Sequence, residues 1–148
     1  DFCLSRGLGD VYKRQAHEVR AAERADCARI TGMLAAAGKP ASLAAIEDRL
    51  ADGSGGVLVT DDATLSWSLE NGCLHLYDIA GDGEACAALL AAADGVARER
   101  GAAIMAADVR DGDAVQGTLI ARGFERDAEE RDVIGGVLGT LVSYVRVV

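Results

Sequence analysis

The stretch Ala97-Arg-Glu-Arg-Gly-Ala-Ala-Ile-Met-Ala-Ala-Asp-Val109 decides the fold. Its first half closes a helix that begins near Glu84 and carries Cys86, Leu89, Leu90, Ala93 and Ala97 on one side, the spacing of a single helical face. Gly101 stops the helix, and Ala102–Val109 reads as a buried strand. Upstream, Cys73–Ile79 reads as another strand, joined to the helix by the short loop Ala80-Gly-Asp-Gly83. Strand, helix and strand in that order predict a right-handed parallel crossover.

Working back from the crossover, Ala63, Leu65, Trp67 and Leu69 alternate with Thr64, Ser66 and Ser68, the period of a half-buried strand. Asn71-Gly72 joins it to the Cys73 strand, because a type I′ turn needs positive φ at both positions. Gly55-Gly56 opens one further strand, Val57–Thr60, which completes a three-strand meander. Before it lie two helical patterns separated by Pro40, the sole proline. Asp26 is placed to cap the first, which has Ile30, Met33, Leu34 and Ala37 on one face and Gly38 just past its end. Ser42 is placed to cap the second, with Leu43, Ile46 and Leu50 inward. His17–Glu23 is expected to form a short first strand. Working forward, Asp113 is placed to cap a shorter helix to Arg122 that Gly123 stops, and Glu125–Ile134 and Val137–Val147 form a hairpin around Gly135-Gly136. The predicted class is α+β: a mixed, mostly antiparallel sheet of about six or seven strands flanked by about four helices.

Residues 1–15 are set apart. Ser5-Arg-Gly-Leu-Gly-Asp-Val-Tyr-Lys-Arg-Gln15 resembles the in-frame translation of a sequencing-library adapter, so a non-native, disordered leader is expected there and a single domain over 16–148. The whole chain has 15 basic and 24 acidic residues. Setting aside Arg6, Lys13, Arg14, Asp1 and Asp10 leaves 12 and 22, a net charge of about −10. Such a charge repels phosphate backbones and anionic lipid, which argues against nucleic-acid and membrane-surface partners. No apolar run reaches the ~20 residues of a membrane helix. Cys27, Cys73 and Cys86 are odd in number and form no CxxC pair; reduced thiols, no metal site and a cytoplasmic location are the expectation.

The order of elements, with Ala97–Val109 followed by Leu119-Ile-Ala-Arg-Gly-Phe124, resembles the GCN5-related N-acetyltransferases. The resemblance implies acetyl-CoA as cosubstrate and an amine of a small molecule or peptide as acceptor, with a homodimer as a plausible assembly. The family's Arg/Gln-x-x-Gly-x-Gly/Ala loop holds the coenzyme pyrophosphate on main-chain amides at a helix N-terminus. Here it maps onto Ala80-Gly81-Asp82-Gly83-Glu84-Ala85, and with Ile79 the resemblance makes Ile79, Ala80, Gly81, Gly83, Glu84 and Ala85 the cofactor-binding residues. Ala80 replaces the Arg/Gln, and Asp82 and Glu84 set two carboxylates beside the place of a diphosphate. The tyrosine that many relatives use to protonate the leaving thiolate, four residues before the Gly of Gly-Phe, is Leu119 here.

Acetyl transfer to an ammonium needs a base, an oxyanion donor and a proton for sulfur. A main-chain N–H near Ile79–Ala80 can serve as the donor whatever the side chains are. Asp78, Tyr144 and Glu70 are the candidate catalytic side chains. Strand alternation puts His75 and Tyr77 on one face, and Asp78 on the other with Leu74 and Leu76. Two function classes follow: an acetyltransferase working through backbone contacts, or a non-catalytic binding or dimerisation module on the same fold.

Overall fold

The computed structural model describes residues 18–134 and 136–148, so the leader at 1–15 lies outside the described residues. The elements run β1 (Arg20–Ala21), a 3-10 turn (Arg24–Asp26), α1 (Cys27–Ala36), α2 (Leu43–Ala51), β2 (Gly55–Val59), β3 (Ala63–Glu70), β4 (Cys73–Gly81), α3 (Gly83–Glu99), β5 (Ile104–Arg110), α4 (Val115–Ala121), β6 (Glu125–Ile134) and β7 (Val137–Val147). The strands make one seven-stranded sheet in the order β1-β2-β3-β4-β5-β7-β6. Among the described residues only the β4–β5 pair is parallel. The predicted class, mixed sheet and four helices are borne out. Of the expected first strand His17 lies outside the described residues; within 18–23 two residues pair with β2, Arg20 against Val59 and Ala21 against Leu58.

Two apolar clusters hold the layers together. α3 and α4 bury Leu89, Leu90, Ala93, Val115 and Leu119 against Leu65, Leu74, Leu76, Met105 and Val142 of one sheet face. α1 and α2 bury Cys27, Ile30, Leu34 and Ile46 against Val57, Val59 and Ala80 of the other. Helices therefore cover both faces of the central strands, and β3 is not half-buried as its alternation predicts. Thr64 is 0% exposed and Ser66 1%, because α1 and α2 lie over the polar-looking face. Arg49 of α2 satisfies Ser66 there, donating to its Oγ at 3.0 Å.

Asp26 does not cap α1. It ends the 3-10 turn, where its carboxylate takes two hydrogen bonds of 2.7 Å from the Arg20 guanidinium and one of 2.7 Å from the Glu23 amide. Those bonds hold its carboxyl well below the usual carboxylate range. Ser42 does cap α2, accepting the Ala45 amide at 3.1 Å. At the end of α1, Gly38 adopts φ +73°, which lets the Lys39 amide bond back to Leu34 O at 2.8 Å. That turn fixes where the Lys39 side chain starts.

Candidate functional site: a cleft where two parallel strands part

β4 and β5 are in register only from Cys73–Leu76 against Ile104–Ala107. Beyond Leu76 and Ala107 they part. The gap is a cleft of about 1000 Å³ walled by Tyr77–Gly81 on one side and Asp108–Asp113 on the other. Gly38, Lys39 and Pro40 close it from the α1 side, and Val137 and Leu141 border it from β7.

The β4 wall is shaped by a bulge. Tyr77 pairs with Ser66, and Ala80 with Thr64, so three steps on β4 face two on β3. Asp78 absorbs the extra residue with φ +48°. The bulge resets the alternation and overturns the predicted orientation of Asp78. Leu74, Leu76 and Ile79 belong to the α3-side cluster and Ala80 to the α1-side cluster. Asp78 turns to α2 beside Tyr77, where Arg49 pairs with its carboxylate at 2.9 Å and lies 4.7 Å from the Tyr77 ring centroid.

The next turn depends on Gly81. It has φ +123°, and a Cβ there would lie 2.1 Å from Asp62 O and 2.5 Å from Ala63 Cα. Only glycine lets the end of β4 lie this close to the start of β3. Asp82 then caps α3, accepting the Ala85 amide at 3.3 Å. Of the residues assigned to the coenzyme, Ile79, Ala80, Gly81 and Gly83 line the cleft, while Glu84 and Ala85 stand outside its lining and Asp82 already holds the Ala85 amide. Cys86 lines it too, its thiol aimed at Gly81 O (3.7 Å) and its pKa pushed up to about 11 by burial. At neutral pH it stays a protonated thiol.

The other candidates are dispersed. Tyr144 is 1% exposed beneath α4 and does not line the cleft; its hydroxyl accepts from Gln116 Nε2 at 2.9 Å, and Gln116 also donates to Asp111 at 3.1 Å. Glu70 pairs with Cys73 at the zipped end of β4, eight residues from Asp78 in sequence and five β4 steps away, about 17 Å at strand spacing. Leu119 is 0% exposed in the α3–α4 core, so the tyrosine position of the resemblance is a packing position here.

Sequence reasoning missed Lys39 at the site, together with Arg49, Asp108 and Arg110. Lys39 starts from the α1 face and reaches Asp113, which precedes α4 on the opposite face. Its Nζ donates to Ile79 O at 2.5 Å and pairs with Asp113 Oδ2 at 2.6 Å. The ammonium thus crosses the slot between β4 and β5. A signal was available: residues 16–148 hold eleven arginines and one lysine, Lys39. A compact ammonium on a flexible stem is not interchangeable with a planar guanidinium, and a lone departure from such uniform usage marks the position.

Asp78, Asp108, Asp111 and Asp113 give the cleft more carboxylates than cations among the residues that line it, Lys39 and Arg110. The described residues contain no group of three or more side chains suited to a metal ion, and none of their helices is long and apolar enough to cross a membrane.

No protein-family model matches the chain, and no curated protein matches it in sequence. Solved structures do match in shape. Ribosomal-protein-alanine N-acetyltransferase from Brucella melitensis superposes with a TM-score of 0.73 at 20% identity, over 88% of this chain and 99% of that one. Ard1 from Thermoplasma volcanium gives 0.76 at 17% identity, over 88% and 96%. The yncA protein from Salmonella typhimurium, solved with its cofactor acetyl-CoA, gives 0.69 at 22% identity, over 87% and 92%. At such identities the likeness is one of architecture, and with the parted β4–β5 pair it establishes that this chain carries the GCN5-related N-acetyltransferase fold.

Proposed function

We propose that the chain moves an acetyl group from acetyl-CoA to an amine of a small molecule or peptide. The observation that carries this reading is the opening of the sheet after four β4–β5 pairs, which leaves the β4 main chain from Tyr77 to Gly81 along a cleft of about 1000 Å³. The presence of acetyl-CoA in yncA supports the choice of cosubstrate, and the ribosomal-protein-alanine N-acetyltransferase of Brucella melitensis supports an amine on a peptide as one acceptor class.

In this reading acetyl-CoA supplies the activated acetyl group, and the protein positions it. A main-chain N–H at Ile79–Ala80 receives the oxyanion of the tetrahedral intermediate; a fixed dipole needs little reorganisation. The carboxylates at Asp78, Asp108, Asp111 and Asp113 attract a cationic acceptor. Arg49 already holds Asp78 and Lys39 already holds Asp113, so the proton of the attacking ammonium leaves through one of these paired carboxylates or through water. With Leu119 in the core, the departing thiolate takes its proton from solvent.

A second reading rests on its own observations. Asp82 holds the Ala85 amide and Lys39 spans the slot, which suits a non-catalytic module. Its partner surface would be the hairpin tip, where Val133, Val137 and Leu138 are each more than 60% exposed. Calorimetry and thermal melting of the full chain with acetyl-CoA separate the two. The transferase reading expects saturable heat, a rise of about 2.7 kcal/mol in stability at a hundredfold excess over Kd, and amine-dependent thiol release. Neither heat nor a melting shift at millimolar acetyl-CoA would remove it.

A further inference from the structure

We propose that Lys39 is itself an acyl acceptor, and that the chain acetylates it in cis. The inference rests on the acetyl-CoA reading of the cleft. A primary amine already stands in the slot, 2.5 Å from Ile79 O and 2.6 Å from the Asp113 carboxylate. The Ile79–Ala80 N–H assigned to the oxyanion belongs to the stretch of β4 that Nζ already touches through Ile79 O. A thioester whose carbonyl meets that N–H would therefore lie within a few ångströms of Nζ, and effective concentration at that range outweighs any free amine in solution. The Schellman turn at Gly38 fixes the root of the side chain, and the Lys39 side chain is 21% exposed, so it is sheltered and yet reachable.

The step balances. Asp113 takes one proton from the Lys39 ammonium. The freed lone pair forms a bond from Nζ to the thioester carbonyl carbon, and the oxygen becomes an oxyanion. Its collapse breaks the carbon–sulfur bond. The nitrogen releases a second proton to solvent, and the thiolate takes the proton that Asp113 carried. Lys39 ends as a neutral acetamide and coenzyme A as a free thiol. The acetamide has no charge to pair with Asp113, so the modified chain loses the strut that crosses the slot.

The test is mass spectrometry of the full chain incubated with acetyl-CoA, with Lys13, the only other lysine, as internal reference. One acetyl group should map to Lys39, at a rate independent of protein concentration and well ahead of Lys13. Lys39→Arg should remove it. Asp113→Asn keeps an oxygen for the Val115 amide that Asp113 Oδ1 now accepts at 2.9 Å; it should slow the modification about 100-fold while thermal melting still reports coenzyme binding. Equal labelling of both lysines, or a rate proportional to protein concentration, would overturn the proposal. An unmodified Lys39 in a chain whose melting point shifts with acetyl-CoA would overturn it while leaving the transferase reading standing. An unmodified Lys39 with no shift removes both.

Discussion

Gly81 sets the geometry of the cleft mouth more than any side chain with chemistry. Its φ of +123° and the 2.1 Å approach of Asp62 O leave no space for a methyl group. Gly81→Ala should cost about 3 kcal/mol of folding free energy in urea denaturation. Gly83→Ala, two residues on in open space, should change stability by less than about 1 kcal/mol. Asp26 makes a second residue-level case, through pH. Its folded pKa is depressed, so its contribution is fully present above the unfolded value, about 3.9, and is lost as pH falls through the folded one. Asp26→Asn should lower stability at pH 7 by about 1–2 kcal/mol, a figure held down by the half-exposed Arg20 side chain. The gap between variant and parent should close as the pH is taken from 4 towards 2.

Helix α3 carries two conflicting demands at its N-terminus. Asp82 stabilises the helix by capping Ala85, yet it puts a carboxylate where a diphosphate would approach. Asp82→Ala should therefore act in opposite directions: a loss of about 1 kcal/mol in stability and tighter coenzyme A binding by calorimetry. Weaker binding in that variant would show that Asp82 helps to hold the ligand. Element boundaries were legible in the sequence where a residue type has one conformational reason to be there. Ser42 before α2 and Asn71-Gly72 between β3 and β4 were found on that basis. The β4 bulge was not legible. It depends on how β3 lies alongside, and a single extra residue shifted Asp78 to the opposite face from the one alternation assigns. Asp26 misled for a related reason: a carboxylate at a helix start can cap, and the cation that claimed it instead sits six residues earlier.

At the scale of the molecule, charge opposes the ligand. About −10 on residues 16–148, four aspartates along the cleft and a phosphate-bearing coenzyme repel one another. Affinity for coenzyme A should accordingly rise between 0.01 and 0.15 M salt as the Debye length falls from about 30 to about 8 Å, the reverse of an ordinary phosphate site; a fall measured by calorimetry would point to a local cation dominating. The meander, the parallel crossover and the final hairpin could be inferred from the sequence; the insertion of β7 between β5 and β6 and the double cover of β3 could not. The cation that threads the sheet could not, because Lys39 and Asp113 stand 74 positions apart and meet only after both faces are packed. The same four-rung junction between β4 and β5 has a mechanical side. β1–β4 and β5–β7 are joined across only these four rungs and strapped by α3, so breathing between them would break few bonds. Amide hydrogen exchange at Ile104–Ala107 should outpace that inside β3, and an occupant wedged in the slot should slow it by bracing the two parts of the sheet against each other.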